Sequence, residues 1–97
     1  MKVRYSARAV SDLARIADYL IERSSQGARS VDRSIQRTID LIAAFPGSGR
    51  TLEQRPPIRV MPVGRYPYLI FYTMRADEIV ILHVRHGARA PIDPAQL

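Results

Sequence analysis

The hydrophobic period of this chain changes once, near its middle, and that change decides what the chain can fold into. Before it, apolar residues recur at spacings of three and four, as one face of an α-helix requires; after it they recur at spacings of two, as on a β-strand. Val10, Leu13, Ala14, Ala17, Leu20 and Ile21 form the first helical stripe, with Asp12, Arg15, Asp18, Glu22 and Arg23 on the other, wet side. Ser24-Ser25-Gln26-Gly27 interrupts the pattern with turn-favouring residues. Ala28, Val31, Ile35, Ile39, Ile42 and Ala43 then resume it, so the first half reads as a helical hairpin. Phe45-Pro46-Gly47 ends it, because proline has no N–H to donate and biases the residue before it away from helix.

Around this hairpin the chain carries strands. Lys2 to Tyr5 predicts a short first strand, and Ser6 can cap the helix that follows. A stretch with Gly47, Gly49, Pro56 and Pro57 has no period and is expected to lie over one edge of the sheet. Ile58–Val63, Tyr68–Met74 and Glu78–Arg85 are β-prone runs separated by turns at Gly64-Arg65-Tyr66-Pro67 and Ala76-Asp77, an antiparallel meander. The expected fold is α+β: an N-terminal strand and helical hairpin packed on a curved antiparallel sheet, order β-α-α-β-β-β. In the last strand Val80, Leu82 and Val84 are uniformly apolar and are expected to face the helices. Ile79, Ile81, His83 and Arg85 turn polar toward the strand's end, which marks the second face as the working surface. Pro91 and Pro94 argue against a long closing helix.

At 97 residues the chain supports one hydrophobic core, hence a single domain over residues 1–97. Cysteine is absent, which excludes disulfides, thiolate nucleophiles and cysteine-ligated metal. The two histidines, His83 and His86, have opposite strand parity and no nearby carboxylate pair, so no metal site is expected. There is no glycine-rich phosphate loop or dinucleotide fingerprint, and no cofactor is expected. No apolar run approaches the roughly 18 residues of a membrane span, and the N-terminus does not resemble a signal peptide. A cytoplasmic protein without a membrane partner is the expectation. The net charge is +6, and all but one of the 15 basic residues are arginine, the side chain whose planar fork best pairs with carboxylate or phosphate. An acidic or polyanionic partner fits, although a codon bias toward arginine would leave the same trace.

The candidate chemistry gathers in His83-Val84-Arg85-His86-Gly87-Ala88-Arg89. Arginine there can neutralise a phosphate, and a histidine titrating near neutral pH can move a proton in metal-independent RNA cleavage. A structural alternative stands beside it: Arg85 paired with a carboxylate, His83 a polar strand residue, Gly87 a bend. Arg59 and Arg65 are expected to join Arg85 on the open face, a surface suited to an acidic peptide or a nucleic-acid backbone. Glu53 is the loop carboxylate that could serve as a general base, or it is simply solvated. Tyr66, Tyr68 and Tyr72 read as packing residues more than as base-stacking platforms.

From Pro46 through Pro91 the chain resembles the ParE/RelE toxin superfamily. The resemblance rests on Phe45-Pro46-x-x-Gly49-Arg50, Val63-Gly64-Arg65-Tyr66-Pro67-Tyr68-Leu69-Ile70-Phe71-Tyr72 and Ile79 through Arg89, with Val3-x-Tyr5-Ser6-x-x-Ala9-x-x-Asp12-Leu13 similar to the family's opening. It implies the toxin of a type II toxin-antitoxin pair, neutralised by a ParD-like antitoxin whose acidic or amphipathic C-terminal segment covers the working surface. Arg59, Arg65, His83, Arg85, His86 and Arg89 are the expected contacts with antitoxin or target. ParE-like members are non-enzymatic poisons of DNA gyrase; RelE-like members are ribosome-dependent, metal-independent mRNA endonucleases, for which His83, Arg85 and Glu53 would be the catalytic set. The basic residue that the nuclease branch places three before the strand tyrosine is replaced here by Leu69, ahead of Tyr72. The ParE-like reading is therefore preferred, with the nuclease and a non-toxic, antitoxin-binding co-repressor as alternatives.

Overall fold

A computed structural model of the chain describes residues 1–52, 57–88 and 97. The elements follow in the order β1 (Lys2–Tyr5), α1 (Ala7–Arg23), α2 (Ser25–Ala44), β2 (Arg50–Leu52), β3 (Ile58–Pro62), β4 (Tyr68–Arg75) and β5 (Glu78–His86). They make one five-stranded sheet in the order β1-β5-β4-β3-β2, with the helices on one face. The meander β3-β4-β5 is antiparallel as expected. β1 joins it in parallel, Lys2 opposite Glu78 and Tyr5 opposite Ile81, so the sheet is mixed. The aperiodic loop contributes a further short strand, β2, which closes the far edge against β3.

The hairpin turn is tighter than its composition suggests. Ser24 alone separates the helices: its N–H donates to the Leu20 carbonyl to end α1, and its Oγ accepts from the Gly27 N–H to start α2. One capping serine thus serves both helices, and Ser25-Gln26-Gly27 is the first turn of α2, not a loop.

The α2 stripe packs as its spacing predicts, with Val31, Ile35, Ile39 and Ile42 buried. α1 is rotated from the expected phase. Ala9 and Asp12 are its buried residues, with Leu13, Ile16 and Leu20 packed against the core, while Val10 and Ile21 stand 57% and 56% exposed. The helix carries two apolar stripes, Ala9-Leu13-Ile16-Leu20 and Val10-Ala14-Ala17-Ile21, offset by one residue. The expected stripe mixed the two: its Leu13 and Leu20 do face the core, whereas its Val10, Ala14, Ala17 and Ile21 belong to the outer stripe, and packing selects the inner one because it brings the Asp12 carboxylate onto β5.

A bulge explains a second correction. Phe71 lies opposite His83 but Tyr72 lies opposite Ile81, which leaves Leu82 as an extra residue in β5. Before it, Ile79 and Ile81 face the helices and Leu82 packs with Ile58, Val60 and Phe71 on the other face; after it, Val84 faces the helices. The expected assignment of Val80 and Leu82 to the helix side, and of Ile79 and Ile81 to the open side, is therefore reversed. The second face is also less polar than expected, since Leu52, Leu69 and Leu97 pack on its buried cluster.

Candidate functional site

The last strand acquires its shape from the start of α1. Ser6 caps the helix with its Oγ, 3.0 Å from the Ala9 N–H, and the same hydroxyl donates to the Leu82 carbonyl at 2.9 Å. Its own N–H donates to the Ile81 carbonyl. Two consecutive backbone carbonyls at the bulge thus find partners in one serine. Asp12 completes the set, its Oδ2 accepting from the Val84 N–H at 3.1 Å and from His83 Nδ1 at 2.5 Å. Its Oδ1 accepts from Arg15 Nη2 at 2.7 Å. A bulge disrupts the strand ladder and leaves backbone groups without strand partners; here helix side chains satisfy them.

His83 is consequently not an open-face acid-base group. It is 5% exposed, its ring stacked on Phe71 with centroids 5.8 Å apart and its Nδ1 committed to Asp12. Burial pushes its pKa below the ordinary histidine value; the Asp12 hydrogen bond and charge oppose this, and the Arg8 and Arg85 charges add to it. The neutral ring is thus the form that the fold favours. Because the folded value lies below the unfolded one, the corresponding stability is full above about pH 6.5 and is lost as pH falls below it. Unfolding midpoints measured between pH 7.5 and 5 should fall in the native chain, and His83→Gln, though less stable at pH 7.5, should show a flatter profile. Parallel profiles would remove His83 as the cause.

The other expected contacts divide. Arg59 lies opposite Tyr72 on β4 and shares its helix-side face; its Nη1 donates to the carbonyls of Gly47 at 3.2 Å and Gly49 at 2.8 Å. Arg59 therefore pins the loop before β2 and does not join Arg85, so the expected trio of guanidinium groups on one face is not formed. Arg85 lies opposite Leu69 and is half-exposed. His86 is exposed, its ring edge-on to Tyr68 at 5.6 Å and its Nδ1 accepting from the Ala88 N–H. The Gly87 N–H donates to the Pro67 carbonyl, which brings the exposed Arg65 turn and the end of β5 to one end of the sheet. Arg65, Arg85 and His86 are the members of the expected set that meet there. Glu53 and Arg89 lie outside the described residues.

Sequence reading missed Asp12, Arg15, Tyr19 and Tyr68, which with Ile16, Val84, Arg85 and His86 line a cleft of about 430 Å³ between α1 and the sheet. The available signal was the quoted opening motif, in which Asp12 stands beside the apolar positions.

A family model for the ParE toxin of type II toxin-antitoxin systems, parDE, matches residues 3–91. The chain belongs to this family. Two toxins of Caulobacter vibrioides are similar to it: Toxin RelE2 at 30% identity, covering 91% of this chain and 97% of its own length, and Toxin RelE1 at 25%, covering 88% and 91%. A solved chain of the chromosomal ParDE TA system from P. aeruginosa superposes with a TM-score of 0.74 at 25% identity, over 89% of this chain and 95% of that one. As a ParE-family toxin the chain has a cognate antitoxin as its partner. Among the described residues no helix is long and apolar enough to cross a membrane.

Proposed function

We propose that this ParE-family toxin arrests growth in the bacterial cytoplasm by binding a protein target, DNA gyrase being the one that the ParE resemblance implies. Its contact surface is the end of the sheet with Arg65, Arg85 and His86, continuing in sequence to Arg89, and the antitoxin silences it by covering that surface. The observation that carries this reading is the commitment of His83: buried and bonded to Asp12, it is poorly placed to exchange protons with an RNA substrate. Arg59, turned to the loop carbonyls, supports it in the same way. His83 then acts as a positioning residue behind Arg85, not as an acid or base.

Expression of the chain without its antitoxin tests this. Gyrase-linked DNA breaks and altered plasmid supercoiling, with intact transcripts, are the expected outcome. Transcripts cut at codons on ribosomes would replace gyrase by a nuclease reading built on His83 and Arg85, and unimpeded growth would leave only the antitoxin-binding co-repressor. Arg85→Ala is expected to weaken target binding by roughly tenfold or more, the usual scale for an anchoring arginine, and to relieve growth arrest with an unchanged melting profile. Undiminished arrest by this folded variant would take Arg85 out of the contact surface.

A further inference from the structure

β1 accompanies β5 only as far as Ile81, and beyond that point no strand among the described residues lies on that side of β5. Ser6 and Asp12 occupy the Leu82 carbonyl and the Val84 N–H there. In an antiparallel strand both backbone groups of a residue point to the same side, and the side alternates along the chain. Since the Val84 N–H faces α1, the Val84 carbonyl and the N–H and carbonyl of His86 belong to the same edge. The Gly87 N–H turns the opposite way, to the Pro67 carbonyl, in keeping with this alternation.

The cleft beside that edge has an inner apolar side, with Ile16, Tyr68 and Val84, and an outer side with Arg15, Tyr19 and Arg85. We propose that an extended, acidic segment of the antitoxin enters this cleft and pairs with β5 at Val84 and His86 as an added strand. Its carboxylates face Arg15 and Arg85, and alternate apolar side chains rest on Ile16 and Tyr68. This placement rests on the toxin-antitoxin reading and deepens it. Three features select a peptide. An alternating row of carbonyls and N–H groups is complemented by another peptide backbone, whereas a phosphate chain offers acceptors only. The chain carries +6 and the cleft is lined by two arginines, the exposed Arg15 and the half-exposed Arg85, which favours acidic side chains. The Asp12 carboxylate also lines the cleft, where it would repel a continuous run of phosphates.

The test uses the antitoxin co-purified with the full chain. Amide hydrogen exchange at His86 is expected to slow when the complex forms. Tyr19→Glu, at a side chain that is largely exposed, places a carboxylate where the acidic segment binds and should weaken the complex about tenfold or more, while growth arrest by the chain alone persists. Arg15→Gln should weaken it less, in the same direction. An affinity unchanged in both variants, or His86 exchange as fast in the complex as in the free chain, overturns the cleft while leaving the toxin reading intact. A native chain that captures no antitoxin overturns that reading as well. Binding of a single-stranded RNA oligonucleotide in the cleft, abolished by Tyr19→Glu, would assign the site to nucleic acid instead.

Discussion

Asp12→Ala is expected to lower the unfolding free energy by about 3 kcal/mol and the melting temperature of this small domain by roughly 15 °C. The carboxylate is 4% exposed and one of its oxygens accepts from two groups of β5, the Val84 N–H and His83 Nδ1. Truncation leaves both donors buried without a partner, and each such group costs about 1–3 kcal/mol. The third contact, to Arg15, contributes little, because that guanidinium side chain is 72% exposed and screened by water. Asp12→Asn keeps the volume and one acceptor oxygen and should fall between the two. Asp18→Ala, at an exposed position of the same helix, should leave the melting temperature within about 2 °C. Thermal unfolding followed by circular dichroism distinguishes these outcomes. An Asp12→Ala variant that melts with the native chain would mean that the bulge does not depend on α1.

The same residue marks the boundary of what was legible in the sequence. Period and turn chemistry carried the element order, because helix and strand periods differ and Pro46 separates them. Phase was another matter. α1 has two apolar stripes of four residues each, one residue apart, so counting cannot choose between them; the inner one prevails because Asp12 finds partners on β5 that no count of apolar residues contains. The bulge was equally invisible, since one extra residue at Leu82 inverts the face of everything before it without altering the alternation of apolar residue types. Arg59, His83 and Arg85 were equivalent as basic strand residues. Only their tertiary partners separate a loop clamp from a buried ring and from a half-exposed guanidinium. The quoted motifs did contain the information: Ser6, Asp12, Gly49 and Tyr72 all stand in them, and all make side-chain or backbone bonds between distant segments.

Gly49→Ala supplies the corresponding test at the opposite edge of the sheet, with an expected cost of about 2–3 kcal/mol, the scale of overpacking in a filled core. The Tyr72 hydroxyl accepts from the Gly49 N–H and donates to the Pro46 carbonyl, both at 2.9 Å, while Arg59 grips the Gly47 and Gly49 carbonyls. A Cβ at Gly49 would lie 2.6 Å from that hydroxyl and 2.9 Å from the ring's Cε1. Tyr72 is fully buried, so the ring has no room to retreat. Gly47→Ala meets nothing within 4 Å and should be neutral or slightly stabilising, by up to about 1 kcal/mol through the unfolded chain's lost freedom. Tyr72→Phe removes the hydroxyl that the new methyl would strike, at the expense of its two hydrogen bonds. If the clash is the cause, Gly49→Ala combined with Tyr72→Phe destabilises by clearly less than the sum of the single variants. Strict additivity in denaturant unfolding would instead locate the cost of Gly49→Ala in the loop backbone, and Tyr72 would no longer be what holds the loop onto the sheet.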